Sequence, residues 1–411
     1  MNGSLSVEVK QALQDIYYNV RTGRGKEAFA LLERASEAGD GDASCILARC
    51  LCGYQYVWSG HYFPEDDRRA AKLLHQSVAQ GSALGVLVAL RSGELTPSVQ
   101  KKMPFANLQQ AFDEVEAMAQ TGDAFCQYVV GNSYFWWDFL RIQNKGKDSF
   151  PSQAAYKAYL KENISKCEDW FWRAFRGGVH YAANNLNQYY TKGDEDIIAP
   201  QLEKAKDLWK IGAELGYPVH QSIYAKELQK EGRDEEAFRW HKESAEGGEP
   251  GSWYEVGRCC FRGLGTAVDD AYAVKCFEKG VAEGGLWSHC LLGEAYYEGR
   301  GVQQDYAKAV QHLRYAYDRG NKWGIYYLGE CYFYGQGVVQ DYAEAKKYLE
   351  QVDWNNHDVN YMLGFIYGRG LGVEADIPKA VSYLQKAGKN AKAKEELWHY
   401  KKTLFGKWVR R

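Results

Sequence analysis

One phrase is written four times between Ser252 and Lys389, with its glycines in step. The second copy reads LLGEAYYEGRGVQQDYAKA and the third reads YLGECYFYGQGVVQDYAEA. The interior glycines Gly257, Gly293, Gly329 and Gly364 stand 36, 36 and 35 residues apart, and the loop glycines Gly263/Gly265, Gly299/Gly301, Gly335/Gly337 and Gly370/Gly372 keep the same steps. A fixed period in this range marks a stacked array, in which each unit buries its apolar face against its neighbours.

Within each copy the pattern predicts two helices. Val256, Leu292, Leu328 and Leu363 lie one residue before the interior glycine, and Cys260, Tyr296, Tyr332 and Tyr367 lie three after it, one turn apart on a single face. In the second helix Ala273, Ala309, Ala345 and Ala380 are followed four positions on by Phe277, Leu313, Leu349 and Leu384, a small-then-large ridge that suits close helix packing. A glycine inside the first helix costs about 1 kcal/mol of propensity against alanine, which a close approach of the two helices would justify. Asp269, Asp305, Asp341 and Asp376 stand where an N-cap is needed, so these acids are read as structural.

Upstream the same rhythm continues with the glycine loop lost or lengthened. Ser6 to Val20 places Val9, Leu13, Ile16 and Tyr17 on one helical face, and second helices are expected to end at Gly39, Gly81, Gly122, Gly177, Gly216 and Gly247. A long aromatic loop, GYQYVWSGHYFPEDD, interrupts the second hairpin, and an insertion near residues 141–163 splits the fourth. The last stretch, AKAKEELWHYKKTLFGKWVRR, reads as one more Lys-rich helix, a polar cap on the open end of the array. The expected organisation is divergent hairpins over 1–251, four regular units over 252–390 and a capping helix over 391–411. The fold expected is an all-α, right-handed superhelical solenoid of about ten antiparallel helix hairpins.

Composition narrows the function classes. A formal net charge of -2 gives no global attraction to nucleic acid or anionic membrane. No stretch approaches the apolar length of a membrane span, and the N-terminus has no basic segment leading into an apolar run. A soluble, cytoplasmic protein is expected, monomeric, with its ten cysteines reduced, because they recur at no constant spacing. The nine histidines form no H-x-x-x-H spacing and the cysteines no C-x-x-C, and GRG and GQG lack the strand and lysine context of a phosphate loop, so no metal, cofactor or catalytic residue is assigned.

The pattern LGxxYxxGxGVxxDxxKA resembles the Sel-one-like repeat, a relative of the tetratricopeptide repeat. The resemblance is specific over Ser252 to Lys389 and weaker before it. It implies a scaffold or adaptor that binds a protein or peptide in a groove lined by the first helices. The residues it places there are Tyr254, Arg258 and Arg262; Cys290, Glu294 and Glu298; Tyr326, Glu330 and Tyr334; and Tyr361, Phe365 and Arg369. Some secreted members carry a regular cysteine pair in each repeat, which this chain lacks. A second candidate surface is aromatic: Trp136, Trp137, Trp170 and Trp172 in the irregular fourth hairpin, where a core role competes with an interface. Since adjacent helical side chains diverge by about 100°, Trp136 and Trp137 cannot both face inward. Alternative readings are a dedicated inhibitor or immunity protein for one partner and, from another class, a hydrolase with a site in the N-terminal half.

Overall fold

The structure is a computed structural model, and it describes residues 4–18, 24–52, 63, 65–193, 197–249, 251–352, 356–404 and 406–411. Most of the aromatic loop predicted after Cys52 lies outside the described residues. The chain divides into two compact units, residues 1–227 with 246–249 and residues 228–245 with 250–411.

The first unit opens with α1 (Val7–Leu13), which runs on into a wider π-turn over Gln14–Tyr18. It continues with α2 (Gly25–Glu37), α3 (Gly41–Cys50), α4 (Asp67–Ala79), α5 (Ala83–Ser92), the short α6 (Pro97–Gln100) and α7 (Leu108–Gln120). Then come α8 (Ala124–Phe135), α9 (Asp138–Ile142), α10 (Gln153–Arg176), α11 (Ala182–Lys192), α12 (Leu202–Glu214) and the start of α13 (Pro218–Lys230). Val9, Leu13, Ile16 and Tyr17 are fully buried, as their spacing predicts. Their partners are less local than a neighbour-only stack would give. The Tyr17 ring meets Phe125 at 5.4 Å and Tyr181 at 5.8 Å, and the Phe125 amide donates to the Tyr18 hydroxyl at 3.0 Å. The first helix therefore packs against the fourth and fifth hairpins of its own unit.

The insertion near 141–163 is only partly a loop. Ser152 caps a helix by accepting the Ala155 amide at 3.1 Å, and α10 then runs unbroken through the predicted second helix for 24 residues. On the other side of the loop, α8 stops at Trp136 because Trp137 adopts φ 66°, a left-handed conformation that costs a non-glycine residue about 1–2 kcal/mol.

The second unit holds α14 (Asp234–Glu246) up to Ala245 and the four regular hairpins. These are α15 (Ser252–Arg262) with α16 (Asp270–Ala282), α17 (Leu286–Glu298) with α18 (Tyr306–Tyr317), α19 (Ile325–Tyr334) with α20 (Tyr342–Leu349), and α21 (His357–Arg369) with α22 (Ile377–Lys386). All four predicted aspartates are N-caps, each accepting a backbone N–H of its helix at 2.9–3.0 Å. The seam is as predicted too: Ala273, Ala309, Ala345 and Ala380 are fully buried beside Phe277, Leu313, Leu349 and Leu384. A Cβ on Gly293 would stand 2.6 Å from Leu313 Cγ, which accounts for glycine there.

The loop glycines do more than turn the chain. A Cβ on Gly301 would lie 2.2 Å from the carbonyl oxygen of Asp270, the first residue of the previous repeat's second helix. Gly265 stands against Asp234, Gly337 against Tyr306 and Gly372 against Ala343 in the same manner. Each loop thus rests on the backbone at the start of the preceding second helix.

The end of the chain departs from the expected helix over 391–411. Only α23 (Ala391–Leu397) is helical; β1 (Tyr400–Lys402) and β2 (Trp408–Arg410) follow as an antiparallel hairpin pairing Tyr400 with Arg410. Tyr400 is buried and its hydroxyl donates to Glu396 at 3.3 Å, while Lys401 and Lys402 are exposed. One anchored residue beside two solvated lysines favours an edge-like strand over another helical turn. Among the described residues five helix pairs precede α13 in the first unit, and four regular pairs follow α14 in the second. The fold is an all-α repeat solenoid apart from that short hairpin.

Candidate functional site

The residues predicted to line a groove come from α15, α17, α19 and α21 of the second unit. The structure brings them together as rungs that tie each repeat to the next, so they are less free than the spacing suggested. Arg262 Nη2 donates to Glu294 Oε1 at 2.6 Å. Tyr297 donates to Glu330 Oε2 at 2.8 Å and Tyr327 to Glu298 Oε1 at 3.2 Å. Arg369 makes two bonds to Glu396, at 2.7 and 3.2 Å, and its guanidinium lies 4.2 Å over the Phe365 ring. Arg258 is held by Glu255 at 2.9 Å and by the Gln229 side chain at 3.1 Å.

Exposure sorts these positions. Arg262, Glu298, Tyr334 and Arg369 are exposed, whereas Tyr254, Arg258, Tyr326, Glu330 and Phe365 are half-buried. Cys290, Glu294 and Tyr361 are buried, which corrects the expectation that they face an open groove. The cause is the approach of successive first helices, which covers the middle of each one. Cys290 is 1 % exposed and burial pushes its thiol up to about 12, so it is neither a lining residue nor a nucleophile.

Glu294 is the unusual member. It is 2 % exposed, with Oε1 on Arg262, and the Trp323 indole lies near enough to favour its charged form although Oε2 makes no hydrogen bond of good geometry. Burial raises its carboxyl above the usual range, against the pull of Arg262. Burial raises Glu330 likewise, although the Tyr297 and Tyr326 hydroxyls oppose it. Desolvated carboxylates bordered by phenols and indoles are acceptors suited to a donor brought by another molecule.

Sequence reasoning missed two residues on this face. Trp287 and Trp323 are 47 % and 49 % exposed, their ring centroids 5.8 Å apart, and Trp287 reaches Tyr254 at 6.0 Å. Both stand six residues before an interior glycine, so extending the repeat register by one turn would have found them. In the first unit Trp136 is exposed, while Trp137 packs partly buried against the core. Trp170 is buried, and half-buried Trp172 donates from Nε1 to the Tyr190 hydroxyl at 2.8 Å. Of that candidate surface only Trp136 is presented openly.

Among the described residues no three His, Cys, Asp or Glu side chains are grouped to hold a metal ion, and no helix is long and apolar enough to cross a membrane. The described cysteines are all free thiols.

The Sel1 repeat family model matches residues 25–40, 47–82, 180–217, 234–249, 254–285, 288–321, 324–351 and 357–391. No curated protein matches the chain in sequence. Among solved structures it is similar to a Sel1 repeat protein from Oxalobacter formigenes, at 22 % identity and a TM-score of 0.46 over 80 % of this chain and 89 % of that one. It is also similar to a protective antigen of uropathogenic Escherichia coli strains displaying an SLR fold, at 19 % identity and a TM-score of 0.43 over 89 % of each chain. The matched repeats extend into the divergent N-terminal half and cover more than half of the 411 residues, and the chain belongs to the Sel1 repeat family.

Proposed function

We propose that this chain is a non-catalytic interaction scaffold that recognises a protein segment on the face of α15, α17, α19 and α21. The observation that carries the reading is the pair of exposed tryptophans, Trp287 and Trp323, which lie beside each other on the helix face that also carries the half-buried Glu330. Neighbouring exposed aromatic side chains and desolvated acids favour a segment presenting Lys or Arg next to apolar residues. A soluble protein that works without a cofactor fits this reading.

Selection of a random peptide library on the intact chain tests it. Peptides with a basic residue flanked by apolar ones should be enriched, and Trp323→Ala with Glu330→Gln should remove that enrichment without changing the helical content. Selection unaffected by these changes but lost with Trp136→Ala would overturn the assignment of the face. Turnover of any substrate that co-purifies with the chain through gel filtration would overturn the non-catalytic reading.

A further inference from the structure

Within the first unit, α3, α5, α8 and α11 surround a cavity of about 330 Å³. At about 30 Å³ per water-sized group, it has room for roughly ten non-hydrogen atoms. It is remote in sequence from the residues of the proposed peptide face, and the interaction reading does not depend on it.

Its polar lining is mainly cationic and amide. Arg49 enters from α3, with its guanidinium 5.2 Å from the Phe125 ring and 5.9 Å from the Tyr128 ring, and it also interacts with the Tyr17 and Tyr181 hydroxyls. Arg91 enters from α5, 4.6 Å over the exposed Trp136 ring and with Nη1 3.4 Å from Asp138 Oδ1. Asn185 Nδ2 donates to Asn132 Oδ1 at 2.8 Å, which commits the Asn132 oxygen and leaves its N–H groups as donors. Leu87, Val88 and Val129 supply apolar lining. Among the described lining residues there are therefore two guanidinium groups and one carboxylate, and burial pushes that carboxyl, Asp138, up to about 6 although Arg91 opposes the shift.

A backbone feature marks the same place. Trp137, between the lining residues Trp136 and Asp138, holds the left-handed conformation that ends α8. Without that break α8 would run on, and Trp136 and Asp138 would not both meet Arg91. A bulky residue kept in such a conformation at the edge of a polar cavity is the form that strain takes at ligand sites.

We propose that this cavity binds a small carboxylate, its head held by Arg49, Arg91 and the Asn132 amide and its short carbon stem lying against Leu87 and Val88. The excess of positive charge selects an anion, the planar forks of arginine suit a carboxylate, and the apolar wall disfavours a bare inorganic ion. The acid can arrive as a free organic acid or as the side chain of a peptide, and the two are separable by experiment.

Calorimetric titration of the intact chain with hexanoate, hexanol and hexylamine, and with a capped Leu-Glu dipeptide, provides the test. Hexanoate or the dipeptide should bind in preference to the alcohol and the amine. Arg91→Gln should weaken that binding about tenfold or more, the loss expected with one charge-assisted hydrogen bond. Its side chain is partly exposed, so the fold should survive. Asn132→Leu gives a second, uncharged perturbation with the same expected direction. Binding of hexanoate alone identifies a free acid, and binding of the dipeptide alone identifies an acidic side chain. Equal binding of acid, alcohol and amine, no binding of either acid, or unchanged acid binding in both variants would overturn the proposal.

Discussion

The spacing between repeats can be tested at two glycines that sequence treats alike. Gly299 and Gly301 both adopt left-handed φ values, 71° and 70°, so replacing either with alanine costs about 1–2 kcal/mol for the backbone alone. Their surroundings differ. A Cβ on Gly299 would find Gln304 Cβ at 3.1 Å, within its own loop, where a small shift relieves the contact. On Gly301 it would find the Asp270 carbonyl oxygen at 2.2 Å and its carbon at 2.4 Å, backbone atoms at the first turn of α16 that cannot move without parting two repeats. Overpacking of this kind adds about 1–3 kcal/mol. Gly301→Ala should therefore destabilise the chain by about 2–5 kcal/mol and Gly299→Ala by about 1–2 kcal/mol. Because repeat arrays need not unfold in one step, urea unfolding should be read beside hydrogen exchange at the amides of α16. Faster exchange there in Gly301→Ala alone is the expected result. Equal losses in the two variants, with exchange in α16 unchanged, would refute the idea that the second loop glycine sets the stacking.

Acid should destabilise the first unit through His220, which is buried and whose ring pKa burial lowers to about 3. The unfolded chain takes up that proton below about pH 6.5 and the folded chain does not. The contribution is therefore complete above that pH and declines by about 1.4 kcal/mol per pH unit as the pH falls toward 3; His220→Leu should flatten the urea-midpoint profile over this range, and an identical profile would exclude His220. Arg262→Met strands the buried Glu294 and should cost about 1–3 kcal/mol, whereas Arg262→Met with Glu294→Met should cost less than the first change alone; additivity in a double-mutant cycle would deny the rung. Ellman's reagent should react slowly with the native chain and rapidly in denaturant, because Cys52 is the one described thiol that is not buried; prompt native reaction of several thiols would contradict the packing.

Much of the second unit was legible because its chemistry recurs. Four aspartates at one phase of a period could hardly be anything but caps, and the alanines with Leu313, Leu349 and Leu384 had to form the seam. Groove exposure was harder to read, since whether Glu294 sees water depends on how closely the next repeat lies, a distance that no periodicity encodes. Trp287 and Trp323 were missed by stopping the register one turn short. At the C-terminus, lysines with good helix propensity hid the strand pairing of Tyr400 with Arg410 and the turn in which the Gly406 amide donates to the Thr403 carbonyl at 3.0 Å. In the first unit the hairpins were visible, but the contact of Tyr17 with Phe125 joins segments more than a hundred residues apart, beyond the reach of local pattern.

That last contact also orders events during synthesis. The helix α1 is made before α8 and α11, so the aromatic contacts of Tyr17 and Tyr18 with Phe125 and Tyr181 form only after those residues have emerged. The cost of closing so long a loop is met late, so the first unit should become protease-resistant as a block once its fifth hairpin is out. The regular hairpins that follow have their partners one repeat away and can be added in sequence as they are made. A nascent chain halted before Phe125 would leave Tyr17 and Tyr18 without their long-range aromatic partners, and that is the length at which chaperone capture should peak.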